Sequence, residues 1–165
     1  MTRYSYFCPC PRGLEAMLAD ELREIAKQSQ TMSVHNEVPG GVHCSGFLQD
    51  GWRVNLHSRI ASRVLLRIGH SSYSNENDIY DLVLGQAWEN WFGYHNTIRV
   101  DVTAIKASVK SLEFVTLKIK DAICDRFRDQ FTQRPSVNTR NPDMRIHGFL
   151  DARNFTIYLD MSGES

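Results

Sequence analysis

The order of the apolar patterns between residues 4 and 68 is the feature that most restricts how this chain can fold. One amphipathic helix is predicted from four apolar residues at helical spacing, Leu14, Leu18, Leu22 and Ile25. A second helix is predicted to begin at its N-cap Asp50 and to present Trp52, Leu56 and Ile60. Four short β-prone runs surround these helices, at residues 4–8, 31–35, 42–47 and 63–68. The resulting order is β-α-β-β-α-β, which is the ferredoxin-like arrangement.

A second set of patterns follows the polar stretch at residues 73–77. The spacing predicts a helix over residues 78–91, an alternating strand over 97–105, a basic loop over 106–113 and a long helix over 114–131. That long helix has an apolar residue at every fourth position, namely Val115, Ile119, Ile123, Phe127 and Phe131. A short strand is predicted at residues 137–139. A closing hairpin then turns at residues 151–154 and returns along 155–159.

These patterns predict an α+β chain with two domains. The first, residues 1–75, is the ferredoxin-like domain, and residues 76–96 form a connecting helix. Residues 97–161 form a second, α/β domain, and residues 162–165 start a linker that leads away from it.

Composition excludes several classes of protein. No apolar run reaches the roughly 20 residues that a membrane-spanning helix needs, and the N-terminus lacks the apolar core of a secretory signal. We therefore expect a cytoplasmic protein with no membrane partner. The four cysteines are too few for a disulfide scaffold at this length, and in the cytoplasm they are expected to be reduced.

Charge is distributed unevenly along a chain whose formal net charge is zero. Residues 98–149 hold 10 Lys and Arg against 6 Asp and Glu, whereas residues 1–97 hold 8 against 10 and residues 150–165 hold 1 against 3. A basic segment between two acidic ones is a better indication of a nucleic-acid partner than the total charge.

The basic segment supplies the candidate RNA-binding residues. They are side chains that can meet phosphate, namely Lys106, Lys110, Lys118, Lys120, Arg134, Asn138, Arg140 and Arg145. The alternative is a solvated helix face, because Asp121, Asp125 and Asp129 dilute the charge of the long helix.

Motifs for bond chemistry are missing from the sequence. It contains neither of the common glycine-rich nucleotide loops, no Gly-x-Ser-x-Gly, and no acidic-Gly-x-Gly-x-Gly turn for S-adenosylmethionine. The tripeptide Asn141-Pro142-Asp143 lacks the second proline and the aromatic residue of a base-binding methyltransferase motif, so it is interpreted as a turn. No catalytic residue and no cofactor site is predicted in this chain.

Cys8-Pro9-Cys10 has two interpretations. One is the end of a strand and the start of a helix, with partly buried thiols, and the other is a metal site. In a ferredoxin-like sheet the first and third strands are neighbours, so His43 and Cys44 could join these thiols. Cys-x-Cys is not the Cys-x₂-Cys spacing of zinc knuckles, and Pro9 stiffens it, so we predict no metal. The role of Cys8, Cys10 and Cys44 stays open.

Four segments in order resemble a known family, the bacterial RNA methyltransferases with a THUMP domain. The segments are FCPCPRGLEAMLADEL, GGVHCSG, NLHSRIASRVLLRI and the stretch from KIKDAICDRF through RPSVNTRNPDMRIHGFL to FTIYLDMSGES. Within that family the sequence is most similar to the large-subunit rRNA guanine-N2 methyltransferases, also labelled N6-adenine-specific DNA methylases.

The resemblance implies a function that composition does not show. It implies a ferredoxin-like domain followed by a THUMP domain that docks structured RNA, specifically large-subunit rRNA, and no DNA partner is expected. It also implies that S-adenosylmethionine binds to a C-terminal methyltransferase domain, which these residues do not include. Two alternatives stay open: a stand-alone THUMP adaptor that presents RNA to a separate enzyme, and the front half of a tRNA-modifying enzyme.

Overall fold

The computed structural model describes residues 2–162. The predicted linker at residues 162–165 therefore lies, apart from Ser162, outside the described residues. The chain divides into two compact units: one runs to Arg67 and takes in the stretch from Asp160, and the other is Ile68–Leu159. No helix among the described residues is long and apolar enough to cross a membrane.

The first unit contains the predicted β-α-β-β-α-β order. Its elements are β1 (Tyr4–Pro9), α1 (Glu15–Ala26), β2 (Ser33–Val38), β3 (Gly41–Gly46), α2 (Leu48–His57) and the start of β4 (Leu65–Ser72). The strands lie in the order β2-β3-β1-β4, and the neighbouring pairs are antiparallel. The ferredoxin-like fold is confirmed. The stripe of α1 is also confirmed for Leu18, Leu22 and Ile25, which are buried.

The second helix buries a different face from the predicted one. Trp52 and Leu56 are 52% and 78% exposed, and Ile60 lies beyond the end of α2. The helix instead presents Gly51 to the sheet, where an added Cβ atom would lie 2.6 Å from Cε1 of Tyr6. Because α2 lies so close to β1 at this point, only glycine fits between them, and Trp52 and Leu56 point away from the sheet.

Asp50 is also placed differently from the prediction. It is the third residue of α2, not its N-cap, which is Phe47. Its carboxylate accepts hydrogen bonds from the Phe47 amide at 2.8 Å and from the hydroxyls of Ser29 and Thr31 at 2.6 Å each. Burial alone would raise the pKa of Asp50, but these hydrogen bonds outweigh it, and the net shift is downward.

The second unit is a sheet whose central strands are parallel. After β4 come α3 (Glu76–Leu84), a short 3-10 helix (Trp88–Asn90), β5 (Thr97–Ala104), α4 (Leu112–Phe131), β6 (Ser136–Val137), β7 (Met144–Leu150) and β8 (Asn154–Asp160). The strands lie in the order β8-β7-β5-β6. Strand β5 is parallel to both β6 and β7, and β7 is antiparallel to β8.

The helix predicted over residues 78–91 is two elements. Strand β4 ends at Ser72, and α3 begins after its N-cap, Asn75. The Asn75 side chain accepts hydrogen bonds from the amides of Asn77 and Asp78. The helix ends before Gly85, and Trp88 then turns inward, where its indole N–H donates to the Val83 carbonyl at 2.8 Å. Burying this large ring interrupts the helix that periodicity alone predicted.

The core of the second unit lies between the sheet and the helices α3 and α4. Four residues of the predicted α4 stripe are buried: Val115, Ile119, Ile123 and Phe127. The fifth, Phe131, is 43% exposed because it ends the helix. Along β5 the even-numbered residues Ile98, Val100 and Val102 pack into this core. The odd-numbered residues therefore project from the opposite face of the sheet.

Candidate RNA-binding surface

Basic side chains gather where the parallel strands β5 and β7 begin. The register pairs Arg99 with Arg145, so these two residues lie side by side on the face opposite α4. The Arg99 guanidinium donates to the Thr139 carbonyl at 2.8 Å, which places the loop that carries Arg140 beside it. Helix α4 runs back from the far end of β5 and ends near the same place. The loops before β7 and after α4 thus share one end of the unit.

Lys120 of α4 and Arg134 of the loop that follows α4 add two cations to this end. Burial raises the pKa of the Cys124 thiol, and the nearby charges of Lys120 and Arg134 oppose that rise. Lys120 also lines a groove with Arg99, Val137 and Thr139. We call Arg99, Lys120, Arg134, Arg140 and Arg145 the amino-end surface.

Arg134 and Arg140 are the two members of this surface best placed to meet a ligand. Both side chains are exposed, and neither takes part in any ion pair formed among residues 2–162. Lys120 is paired with Asp121 at 2.6 Å, and Arg99 with Asp101 at 3.1 Å. Unpaired exposed guanidinium groups can bind phosphate without first giving up a protein partner.

Asn138 shapes the loop instead of presenting its side chain. Its carboxamide oxygen accepts hydrogen bonds from the amides of Arg140 and Asn141, both at 3.1 Å. A loop closed in this way has fewer conformations, so the Asn138 side chain helps to fix the position of Arg140.

Asn141-Pro142-Asp143 bends into β7 at the place where the sequence predicted a turn. The Asp143 carboxylate accepts from the Thr97 amide at 2.9 Å, and the Thr97 hydroxyl accepts from the Asp143 amide at 3.0 Å. This reciprocal pair joins the first residue of β5 to the residue before β7. The hydrogen bond from Thr97 is the main reason that the pKa of Asp143 is lowered.

Lys106 and Lys110 lie at the opposite end of the second unit. They follow the last residue of β5, and a strand of that length separates them from Arg99 by about 20 Å. Their loop is held by Ser108, whose hydroxyl donates to the Ala152 carbonyl at 2.9 Å, and Lys106 has a positive φ of 53°. Both lysine side chains are exposed.

Lys118 belongs to neither group. Its ammonium lies 5.7 Å from the ring centroid of Tyr80 and 5.4 Å from that of Phe114, on the side of α4 that packs against α3. The residues selected from the sequence thus fall on three parts of the second unit and do not form one patch.

Sequence reasoning missed two features of the amino-end surface. One is Arg99, which the alternation of β5 places on the polar face. The other is a pair of exposed aromatic residues, Tyr94 and Phe131, whose ring centroids lie 5.8 Å apart. Phe131 was assigned to the core because it continues the α4 stripe, and nothing local marks the helix end as open.

The cysteines of the first unit are buried in its sheet. Strands β1 and β3 are neighbours, and Cys8 and Cys44 are 0% and 2% exposed. A hydrogen bond with Cys44, together with burial, raises the pKa of the Cys8 thiol. Among residues 2–162, no group of three or more His, Cys, Asp or Glu side chains is arranged to hold a metal ion.

Comparison with known families assigns both units. A model of the ferredoxin-like domain of RlmL matches residues 5–65, and a model of the THUMP domain matches residues 73–160, more than half of the chain. The chain belongs to the THUMP family. The matched THUMP residues include α3, which our prediction had kept apart as a connector.

Relatives of this THUMP chain are rRNA methyltransferases by name. It is 38% identical to "Ribosomal RNA large subunit methyltransferase K/L" of Psychromonas ingrahamii over 96% of its residues, and 35% identical to the protein of that name in Syntrophotalea carbinolica over 97%. The chain spans 21% and 22% of the length of these two relatives.

A solved structure shares the fold of the THUMP chain. This is a predicted N6-adenine-specific DNA methylase from Listeria monocytogenes str. 4b F2365, with a TM-score of 0.81 and 18% sequence identity. The likeness covers 99% of this chain and 42% of the Listeria chain. At this identity the comparison supports the architecture and nothing finer.

Proposed function

We propose that this chain binds structured RNA, specifically large-subunit ribosomal RNA, and docks it for an S-adenosylmethionine-dependent guanine-N2 methyltransferase. The observation that carries the proposal is the THUMP match over residues 73–160 in a chain whose relatives bear the name of a large-subunit rRNA methyltransferase. The amino-end surface supplies cations suited to a phosphate backbone.

Methyl transfer itself is assigned to a domain outside these residues. S-adenosylmethionine would supply the methyl group, and a glycine-rich turn usually holds it. The chain has one pair of adjacent glycines, Gly40 and Gly41, and it forms the tight turn between β2 and β3. The described residues therefore do not fit the cofactor.

Docking can contribute to catalysis from a distance. A base inside a helix must leave its stack before an enzyme can modify it, at a cost of a few kcal/mol. Contacts made to a remote part of the RNA can offset that cost. Arg134 and Arg140 would contribute by fixing the register of the RNA, because phosphate contacts position a nucleic acid without reading its sequence.

The proposal is tested by measuring RNA affinity with matched pairs of variants. Fluorescence anisotropy would follow binding of the purified chain to a labelled fragment of large-subunit rRNA. We expect Arg134→Ala/Arg140→Ala to weaken binding several-fold, and Lys106→Ala/Lys110→Ala to do so less. The control is Arg23→Ala/Lys27→Ala on α1, which removes two exposed cations from the first unit.

Three results would decide between surfaces and partners. An equal loss from the α1 control would show that overall charge, not the second unit, attracts the RNA. A larger loss from the Lys106/Lys110 pair would place the RNA at the other end of the sheet. Equal affinity for a DNA duplex of matched length would remove the assignment to RNA.

A further inference from the structure

A chain of aromatic rings runs from the core of the second unit to its surface. Successive ring centroids lie 5.3–6.2 Å apart, from Trp88 through Phe92, Phe127 and Phe131 to Tyr94. Trp88 and Phe127 are buried, whereas Phe131 and Tyr94 are 43% and 36% exposed. The outer end of the chain therefore presents two aromatic rings to solvent.

The exposed rings lie on the cationic side of α4. Phe131 follows Lys120 and Cys124 by eleven and seven residues, spacings that return to the same side of a helix. Arg134 lies close to Cys124, and it follows Phe131 by only three residues. Arg128 precedes Phe131 by three residues, is exposed and pairs with Asp125 at 3.7 Å.

One acidic residue of α4, Asp125, is bonded to a residue of α3. Tyr80 donates to Asp125, and this hydrogen bond with burial raises the pKa of Tyr80 to about 12, with smaller contributions from Asp129 and Asp121. Asp125 is thus turned toward α3 and also pairs with Arg128 at 3.7 Å, while Asp121 pairs with Lys120 at 2.6 Å. Arg134 takes part in no ion pair formed among residues 2–162, so the aromatic pair keeps an unpaired cationic neighbour that can attract a polyanion.

We propose that Tyr94 and Phe131 stack an unpaired base of the RNA bound at the amino-end surface. This inference rests on the proposed function and specifies the class of RNA: a helix with an unpaired nucleotide in a loop, bulge or end. Every base has a flat π face, so stacking on aromatic side chains binds single-stranded nucleotides with little sequence preference.

The geometry suits one base more than a run of bases. The planes of the two rings are tilted by 44°, so a base stacked on one ring meets the other at an angle. The His95 ring stands at 87° to that of Tyr94, with the two ring centroids 6.0 Å apart. A base held here would extend the aromatic chain by one ring, and its phosphates would meet the unpaired guanidinium of Arg134.

The experiment uses an RNA stem-loop with one 2-aminopurine in its loop, because stacking quenches the fluorescence of that base. The full chain is compared with Phe131→Leu and Tyr94→Leu, which keep an apolar side chain and remove the ring. Tyr94→Phe is the rescue variant. Trp52→Leu is the matched control, because Trp52 is a similarly exposed aromatic residue in the first unit. Thermal unfolding checks that every variant is folded.

We expect the wild-type chain, Tyr94→Phe and Trp52→Leu to quench 2-aminopurine. The two ring-deleting Leu variants should lose the quenching and bind about five- to tenfold more weakly, as expected for one lost stacked base. Wild-type affinity with no quenching, or Leu variants that behave like Trp52→Leu, would overturn the stacking inference and leave RNA binding intact. No binding of RNA by the wild-type chain would overturn the proposed function as well.

Discussion

Thr97 and Asp143 hold each other through two reciprocal hydrogen bonds, one from each backbone amide to the other residue's side chain, at 2.9 and 3.0 Å. Thr97 begins β5, and Asp143 immediately precedes β7. The pair therefore aligns the two parallel strands at the end where Arg99 and Arg145 lie side by side. The loop that carries Arg140 closes against this pair.

Asp143→Ala is expected to loosen the loop before β7. The Thr97 amide would lose its acceptor, and the strands would keep their register only through the ladder itself. We predict a lower urea midpoint for the variant and weaker RNA binding, because Arg140 would no longer be held in place. The control is Asp151→Ala, which removes a carboxylate that caps the β7–β8 turn at the opposite end. If Asp143→Ala lost stability but bound RNA with full affinity, loop order would not matter for binding.

Asp50→Ala should cost much more stability than removal of a surface carboxylate. Asp50 is 1% exposed and accepts three hydrogen bonds, so the change removes the acceptor of two hydroxyls and an amide, and only the hydroxyls keep a contact with each other, at 2.9 Å. We expect a loss of about 2–4 kcal/mol in the free energy of unfolding. Asp20→Ala, which removes an exposed carboxylate of α1, should cost about 0–1 kcal/mol. Similar costs for both variants would refute the structural role of Asp50.

The ion pair between Glu89 and Arg126 predicts a pH dependence. Arg126 donates to both oxygens of Glu89, at 2.6 and 3.1 Å, and this lowers the pKa of Glu89 from 4.5 to about 2. Because the folded pKa is the lower one, the stabilisation is fully present above pH 4.5 and is lost as the pH falls toward 2.

Glu89→Gln removes this titration. Urea unfolding at a series of pH values should show that the wild-type advantage over Glu89→Gln, of about 1–3 kcal/mol at neutral pH, shrinks between pH 4.5 and 2. A difference between the two proteins that stays constant over that range would mean that the pair contributes no charge-dependent stability.

Much of the fold could be predicted from periodicity, because buried faces repeat. Leu18, Leu22 and Ile25 of the α1 stripe and the first four positions of the α4 stripe are buried as predicted, whereas Leu14 is the half-buried N-cap of α1. Periodicity predicted the wrong buried face for α2. The helix packs so close to the sheet at Gly51 that only a glycine fits there, and Trp52 is exposed. Periodicity failed again at residues 78–91, where the inward turn of Trp88 divides the predicted helix.

The candidate RNA-binding surface was harder to predict from the sequence than the fold. A run of cations along the chain does not say which side chains share a surface. Lys106 and Arg140 come from opposite ends of parallel strands, and Lys118 is turned toward Tyr80. Asn138 looks like a polar contact residue in the sequence, but its oxygen is used within its own loop. Placing these residues requires the topology of β5, α4 and β7.

The salt dependence of RNA binding tests the central claim most directly. Each phosphate contact that a protein makes adds about 0.7–0.9 units to the slope of log affinity against log salt. Between 50 and 300 mM salt, Arg134→Ala/Arg140→Ala should therefore lower the slope by roughly 1.5 units relative to wild type. The Arg23→Ala/Lys27→Ala control should leave the slope unchanged. Equal slopes for wild type and the Arg134/Arg140 variant, or an equal reduction in the α1 control, would contradict the account.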